Sequence, residues 1–141
     1  MAGLTWYFII PNLFPKKFSV QQYNQKVYMY CMKFSGWERR NVTVYGYLDN
    51  VQRKFIQVVD NEKDIEKGDI GNIGRATIQY DNLSSGDQEA VYSKLIKITK
   101  KPTSERTISI KGVVRRGDCA YIMGKSRNST YLELQSIKDI N

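Results

Sequence analysis

One segment of this chain reads at helical period, and period-two segments lie on both sides of it. Within residues 84–101, Val91, Leu95 and Ile98 recur at i, i+4 and i+7, the apolar stripe of an amphipathic helix. Ser84 and Ser85 are the cap candidates, and Ser85 with Gln88 matches a capping box. Lys100, Lys101 and Pro102 end the pattern. Upstream, residues 26–34 alternate, with Val27, Met29 and Cys31 on one face and Tyr28, Tyr30, Met32 and Phe34 on the other. Ser35-Gly36 is a turn signal, extended by residues 37–40. Residues 42–48 alternate again: Val42, Val44, Gly46 and Leu48 share one face, and Thr43, Tyr45 and Tyr47 the other. Asp49-Asn50 reads as a turn into a third strand over residues 53–59, so the three form an antiparallel meander. An acidic, Gly-rich loop at 60–74 leads to a strand at 75–82, just before the helix. Beyond the helix come strands at 106–116 and 119–123, a loop at 124–129, and a last strand at 131–137.

This order lacks βα alternation, which argues against a parallel sheet. Short strands closed by turns indicate a barrel or sandwich. One helix between a first meander and a final hairpin is the order of the OB-fold, a five-stranded Greek-key barrel. The expectation is therefore an all-β fold with one helix, of OB-like type. The 141 residues suit one domain, assigned to 18–141. Residues 1–17 form an extended apolar arm, because Pro11 and Pro15 interrupt any central strand. Trp6, Tyr7, Phe8, Leu13 and Phe14 are too many large apolar groups to stay in water. The arm either packs on its own barrel or docks on a neighbouring copy.

The chain contains no histidine, so Ser-His-Asp and Cys-His catalysis and His-ligated metal sites are absent. Cys31 and Cys119 sit in apolar, strand-like contexts and read as free thiols of a reducing compartment, although the spacing also allows a disulfide. The carboxylates at 60–69 do not have the spacing of a calcium loop. No metal, cofactor or catalytic group is expected. The start lacks a basic n-region and an A-x-A site, and no apolar run is long enough to span a bilayer. A cytoplasmic location without membrane contact is the expectation.

The net charge is +8, with eight basic against three acidic residues in positions 1–60 and fourteen against eleven in the rest. Such a surface attracts polyanions. The excess is densest where tyrosines concentrate. If the valine faces point inward, then Tyr28, Tyr30, Tyr45 and Tyr47 point out on neighbouring strands. Trp37, Arg39, Arg40, Arg53 and Lys54 lie close in sequence. Bases of a single strand can stack on such rings while cations follow the phosphates. The final hairpin adds Arg115, Arg116, Lys125 and Arg127, with Tyr121 and Tyr131 able to assist. Lys94, Lys97, Lys100 and Lys101 read as the solvated side and C-terminal end of the helix.

In these residues the chain resembles single-stranded nucleic-acid-binding OB-folds. FIQVVDNEKDIEKGDIGNIG (55–74) is similar to the third-strand region of bacterial single-stranded DNA-binding proteins, where a Lys-Gly-Asp/Ser turn enters the next strand. The resemblance covers residues 26–137 by element order. Size, charge and the single barrel resemble the small single-stranded DNA-binding proteins of Gram-positive conjugative plasmids, the PrgE-like group. Unlike the housekeeping family, the chain has no Gly/Pro/Gln-rich linker with an acidic tip and ends in SIKDIN. The resemblance implies a non-enzymatic, sequence-tolerant binder of single-stranded DNA or RNA in DNA protection or plasmid conjugation; the apolar arm is an addition to that pattern and offers a self-associating link between neighbours along a strand. The other reading of the same residues is a β-barrel adaptor whose basic, tyrosine-rich face takes an acidic protein.

Overall fold

A computed structural model describes residues 16–28, 36–67, 74–116, 120–122, 125–127 and 130–141 of the chain. It is mostly β, with two α-helices among the described residues. Strand β1 (Lys16–Ser19) runs directly into helix α1 (Val20–Lys26). The strand expected from residue 26 does not begin there: Lys26 closes the helix and Val27 is its C-cap in helical conformation, while residues 29–34 lie outside the described residues. The local reason is a capping box. The Ser19 hydroxyl accepts the Gln22 N–H, and the Gln22 side chain accepts the Ser19 N–H. Tyr23 and Val27 face the core, which a helical spacing of four permits. The expectation of one helix is corrected to two. The boundary of the arm also moves, because Lys16 and Lys17 pair in register with Val42 and Thr43 as part of β1. Residues 1–15 lie outside the described residues, and so do the arm residues Trp6, Tyr7, Phe8, Leu13 and Phe14.

Strand β2 (Asn41–Val51) is the hub of the sheet. It pairs in parallel with β1, and antiparallel with β3 (Phe55–Val59) and with β5 (Thr107–Arg116). Strand β4 (Arg75–Gln79) pairs antiparallel with β3, while β8 (Thr130–Leu134) pairs parallel with β4 and antiparallel with β5. The six strands follow the order β1-β2-β3-β4-β8-β5, with β2–β5 as an additional pairing. A separate two-stranded sheet joins β6 (Ala120–Ile122) to β7 (Lys125–Arg127). The loop expected at 124–129 is therefore partly a strand, because the β6 backbone offers it a ladder.

Asp49-Asn50 is not a turn. The β2–β3 register shifts between Leu48 and Asn50, so Asp49 is the extra residue of a bulge. Its carboxylate is drawn into the fold: Oδ1 accepts the Glu66 N–H at 2.6 Å and Oδ2 lies 3.3 Å from Arg75. The reversal falls instead at residues 52–54, closed by Gln52 N–H to the Phe55 carbonyl at 2.9 Å.

Helix α2 (Ser85–Thr99) begins at Ser84, whose hydroxyl accepts the Asp87 N–H. Ser84, not Ser85, is the cap, and Gln88 instead donates to the Asp81 and Leu83 carbonyls. Val91 and Leu95 are fully buried, and Ile98 packs at the margin. They join Val42, Val44 and Leu48 of β2, Ile56 and Val58 of β3, Ile108, Ile110 and Val114 of β5, and Leu132 and Leu134 of β8 in one core. The alternation of each strand explains this set, since side chains two apart share a face. The last strand stops at Leu134, three residues before its expected end, where Ser136 caps a 3-10 turn (Ile137–Asp139). Among the described residues, no helix is long and apolar enough to cross a membrane.

Candidate nucleic-acid interface

The core uses one face of β2, and the other face turns away from it. Residues directly opposite in neighbouring strands lie on the same face of a sheet. Thr43 pairs with Lys17 of β1 on one edge and with Lys111 of β5 on the other. Tyr45 pairs with Ser19 and Ser109 in the same way, and Tyr47 with Val59 and Thr107. Further along β5, Arg115 pairs with Tyr131 of β8. The outward side of β1-β2-β5-β8 therefore carries Lys17, Lys111 and Arg115 as cations and Tyr45, Tyr47 and Tyr131 as rings. Glu133 is the acid paired beside them, and one of its oxygens lies 3.3 Å from Arg115 Nε.

Tyr45 is the one large hydrophobic side chain exposed among the described residues, at 41%. The Lys17 ammonium lies 5.4 Å from its ring centroid, a cation–π contact. Lys17 comes from the Thr43 side, so the cation and Tyr47 flank Tyr45 along the strand. A cleft of about 660 Å³ opens here, lined by both tyrosines and Gly46, by Asp60, and by Thr107, Ser109 and Asn141. Such a surface combines flat apolar rings, hydroxyl and carboxylate groups, and positive charge at its border.

The sequence-derived residues distribute unevenly. Trp37, Arg39 and Arg40 form a tight turn ahead of β2, with Arg39 at φ 69° and the Arg40 guanidinium 5.4 Å from the Trp37 ring centroid. Two backbone bonds tie this turn to β5: Arg39 N–H to the Val114 carbonyl at 2.8 Å, and Val114 N–H to the Arg40 carbonyl at 2.9 Å. Arg39 and Arg40, both exposed, thus adjoin Arg115 and Arg116, two groups that are 75 residues apart in sequence. Trp37 is less available than its place in a turn implied. It packs edge-on to Phe18, with centroids 5.4 Å apart, against the core margin.

Tyr28 is corrected as an outward partner of Tyr45. Its N–H bonds to the Tyr23 carbonyl at the end of α1, and its ring packs against the core. The ladder neighbours of Tyr45 are Ser19 and Ser109 instead. Tyr30, Cys31 and Cys119 lie outside the described residues, as do the side chains of Lys125 and Arg127 in β7. Arg53 and Lys54 stand at the far end of β2 from Arg39 and Arg40. Arg53 stacks over Tyr92 at 3.9 Å and pairs with Glu89, both of α2, while Lys54 is exposed. Sequence reading missed Lys17 and Lys111 as members of this face. The signal for Lys111 was available in the period-two alternation of residues 107–115. Lys17 had no such signal, since only β1 pairing sets it beside Tyr45. The sequence matches no family model and no curated protein.

Proposed function

We propose that this protein binds single-stranded nucleic acid, without catalysis, on the outward face of β1-β2-β5-β8. The observation that carries the reading is the flanking of exposed Tyr45 by Lys17 and Lys111 in the adjoining ladder row, beside an open cleft. Bases stack on Tyr45 and Tyr47, and Lys17, Lys111, Arg39 and Arg40 follow the phosphates. Stacking accepts every base, which makes the binding tolerant of sequence and favours an unpaired strand over a duplex. DNA and RNA both fit, because only contacts to the 2′-hydroxyl separate them.

We further infer that the sheet is an OB-type Greek-key barrel. Support comes from the pairings of β2 with both β3 and β5, the parallel pairing of β4 with β8, and the position of α2 between β4 and β5. This architecture serves oligonucleotide binding in many proteins, which supports the reading.

A polarisation titration with labelled mixed-sequence oligonucleotides tests the function. Binding to single strands is expected, weaker for duplex, with a log–log salt slope of about −3 for four phosphate contacts. The Tyr45→Ala variant is expected to lose about 1–3 kcal/mol of affinity, the worth of one base stack, with unchanged thermal stability. Absence of binding to single strands at low salt would overturn the reading and leave an acidic protein as the partner to seek.

A further inference from the structure

The cleft beside Tyr45 has walls that stacking alone does not require. Tyr45 and Tyr47 are two apart on β2, so their side chains leave the strand about 6.6 Å from each other. That is about twice the 3.4 Å spacing of stacked bases, so one planar base fits between two rings at that separation. Gly46, between them, contributes only backbone to the lining. The hydroxyl-bearing Thr107 and Ser109 lie on the β5 side, opposite Tyr47 and Tyr45. On the β3 side, Asp60 follows Val59, the ladder partner of Tyr47.

Asp60 is half-buried, and one of its oxygens, Oδ1, accepts the Gln21 N–H at 3.2 Å. Its backbone is held as well, through its N–H to the Gly74 carbonyl at 3.1 Å. A carboxylate presents acceptors only, with more lone pairs than this one bond uses. Guanine is the base whose pairing edge carries two adjacent donors, N1–H and the 2-amino group. Adenine and cytosine set a donor beside an acceptor, and thymine and uracil set one donor between two acceptors. A carboxylate at the edge of a base slot therefore discriminates for guanine.

We propose that this cleft is a base pocket that sandwiches one nucleobase between Tyr45 and Tyr47 and prefers guanine through Asp60. The proposal rests on the single-strand reading and adds a base preference at one position of the bound strand. The rest of the strand still binds by stacking and charge.

The test compares a labelled all-thymidine oligonucleotide with the same oligomer carrying one central guanosine, which avoids quadruplex formation. The intact chain is expected to bind the guanosine-containing oligomer roughly fivefold to a hundredfold more tightly, the range of one good bidentate base contact. Asp60→Asn keeps an Oδ1 acceptor for Gln21 but puts an amide donor against a guanine donor, so the ratio falls to near one. A parallel titration with guanosine and uridine 5′-monophosphates, followed by NMR, is expected to shift the Gly46 and Asp60 amides with the guanine nucleotide alone. Tight binding of both oligomers with a ratio near one overturns the pocket and leaves the function standing. A ratio retained in Asp60→Asn overturns the role of the carboxylate. Weak binding of both oligomers with no mononucleotide shift overturns the pocket, and the mixed-sequence titration then decides the function.

Discussion

Tyr23 and Tyr80 are both sealed in the core, yet their hydroxyls differ in a way that predicts opposite outcomes. Tyr80 donates to the Gln52 carbonyl and so anchors the turn at residues 52–54. The Tyr23 hydroxyl is buried and has no hydrogen-bond partner among the described residues. An unpaired buried hydroxyl costs free energy, and a satisfied one contributes modestly. Tyr80→Phe is expected to destabilise by about 1 kcal/mol, and Tyr23→Phe to be neutral or stabilising by up to about 1 kcal/mol. Denaturant midpoints of the two variants check this, and a large loss in Tyr23→Phe would mean that its hydroxyl is satisfied. Trp37 makes a third case. Its contact with Phe18 at the core margin means that Trp37→Ala is expected to cost about 2–3 kcal/mol, below the range of fully buried aromatics. An affinity loss without a change in melting temperature would place the ring at the ligand instead.

At the scale of elements, β2 carries the fold and the candidate site at once. Its inward residues reach the core while Thr43, Tyr45 and Tyr47 face away, and this works only if β3 and α1 approach closely at Gly46. A side chain at that position would overlap the Val59 carbonyl and stand 2.9 Å from Val58 Cγ1 and 3.0 Å from Val20 Cγ2. Gly46→Ala is expected to destabilise by about 2–3 kcal/mol or more, because backbone and core cannot yield cheaply. A melting temperature equal to wild type would show that the strands can part without cost. The turn at 52–54 has its own anchor, in which Arg53 stacks on Tyr92 and pairs with Glu89. Both groups of the pair are largely exposed, so the ionic part contributes little. The stacked guanidinium is thereby engaged with α2, at the opposite end of β2 from the Arg39–Arg40 turn.

At the scale of the molecule, the buried tyrosines set an alkaline limit. Burial first, and then the neighbouring Tyr92, push the Tyr80 phenol from 10.0 up to about 12, with Glu89 adding to the rise and Arg53 opposing it. Burial and Tyr28 push Tyr23 up as well. A folded pKa above the unfolded one stabilises fully below the unfolded value and loses that contribution as pH rises through the folded value. Stability is therefore expected to fall between pH 10 and about 12. Urea midpoints measured across that range test it, and Tyr80→Phe should reduce the slope. A flat profile would mean that the phenol ionises in the folded protein without penalty.

Much of this architecture was legible in the residues themselves. The inward set Val42, Val44 and Leu48, the stripe Val91 and Leu95, and the strand–helix–strand order follow from local periodicity, because a period reports which side chains share a face. The Ser19–Gln22 box is also local, but the period-two pattern of residues 26–34 that follows it reads as strand and competes with the short helix α1. What only the tertiary structure decided is partnership. Nothing near Thr43 in sequence says that Lys17 and Lys111 sit on either side of it, or that Val114 ties Arg39 and Arg40 to Arg115. Nor does it say that Asp49 forms a bulge held by Arg75. Those placements depend on ladder pairing between distant segments, whose register is chosen by the summed burial of the core rather than by the residues that end up side by side.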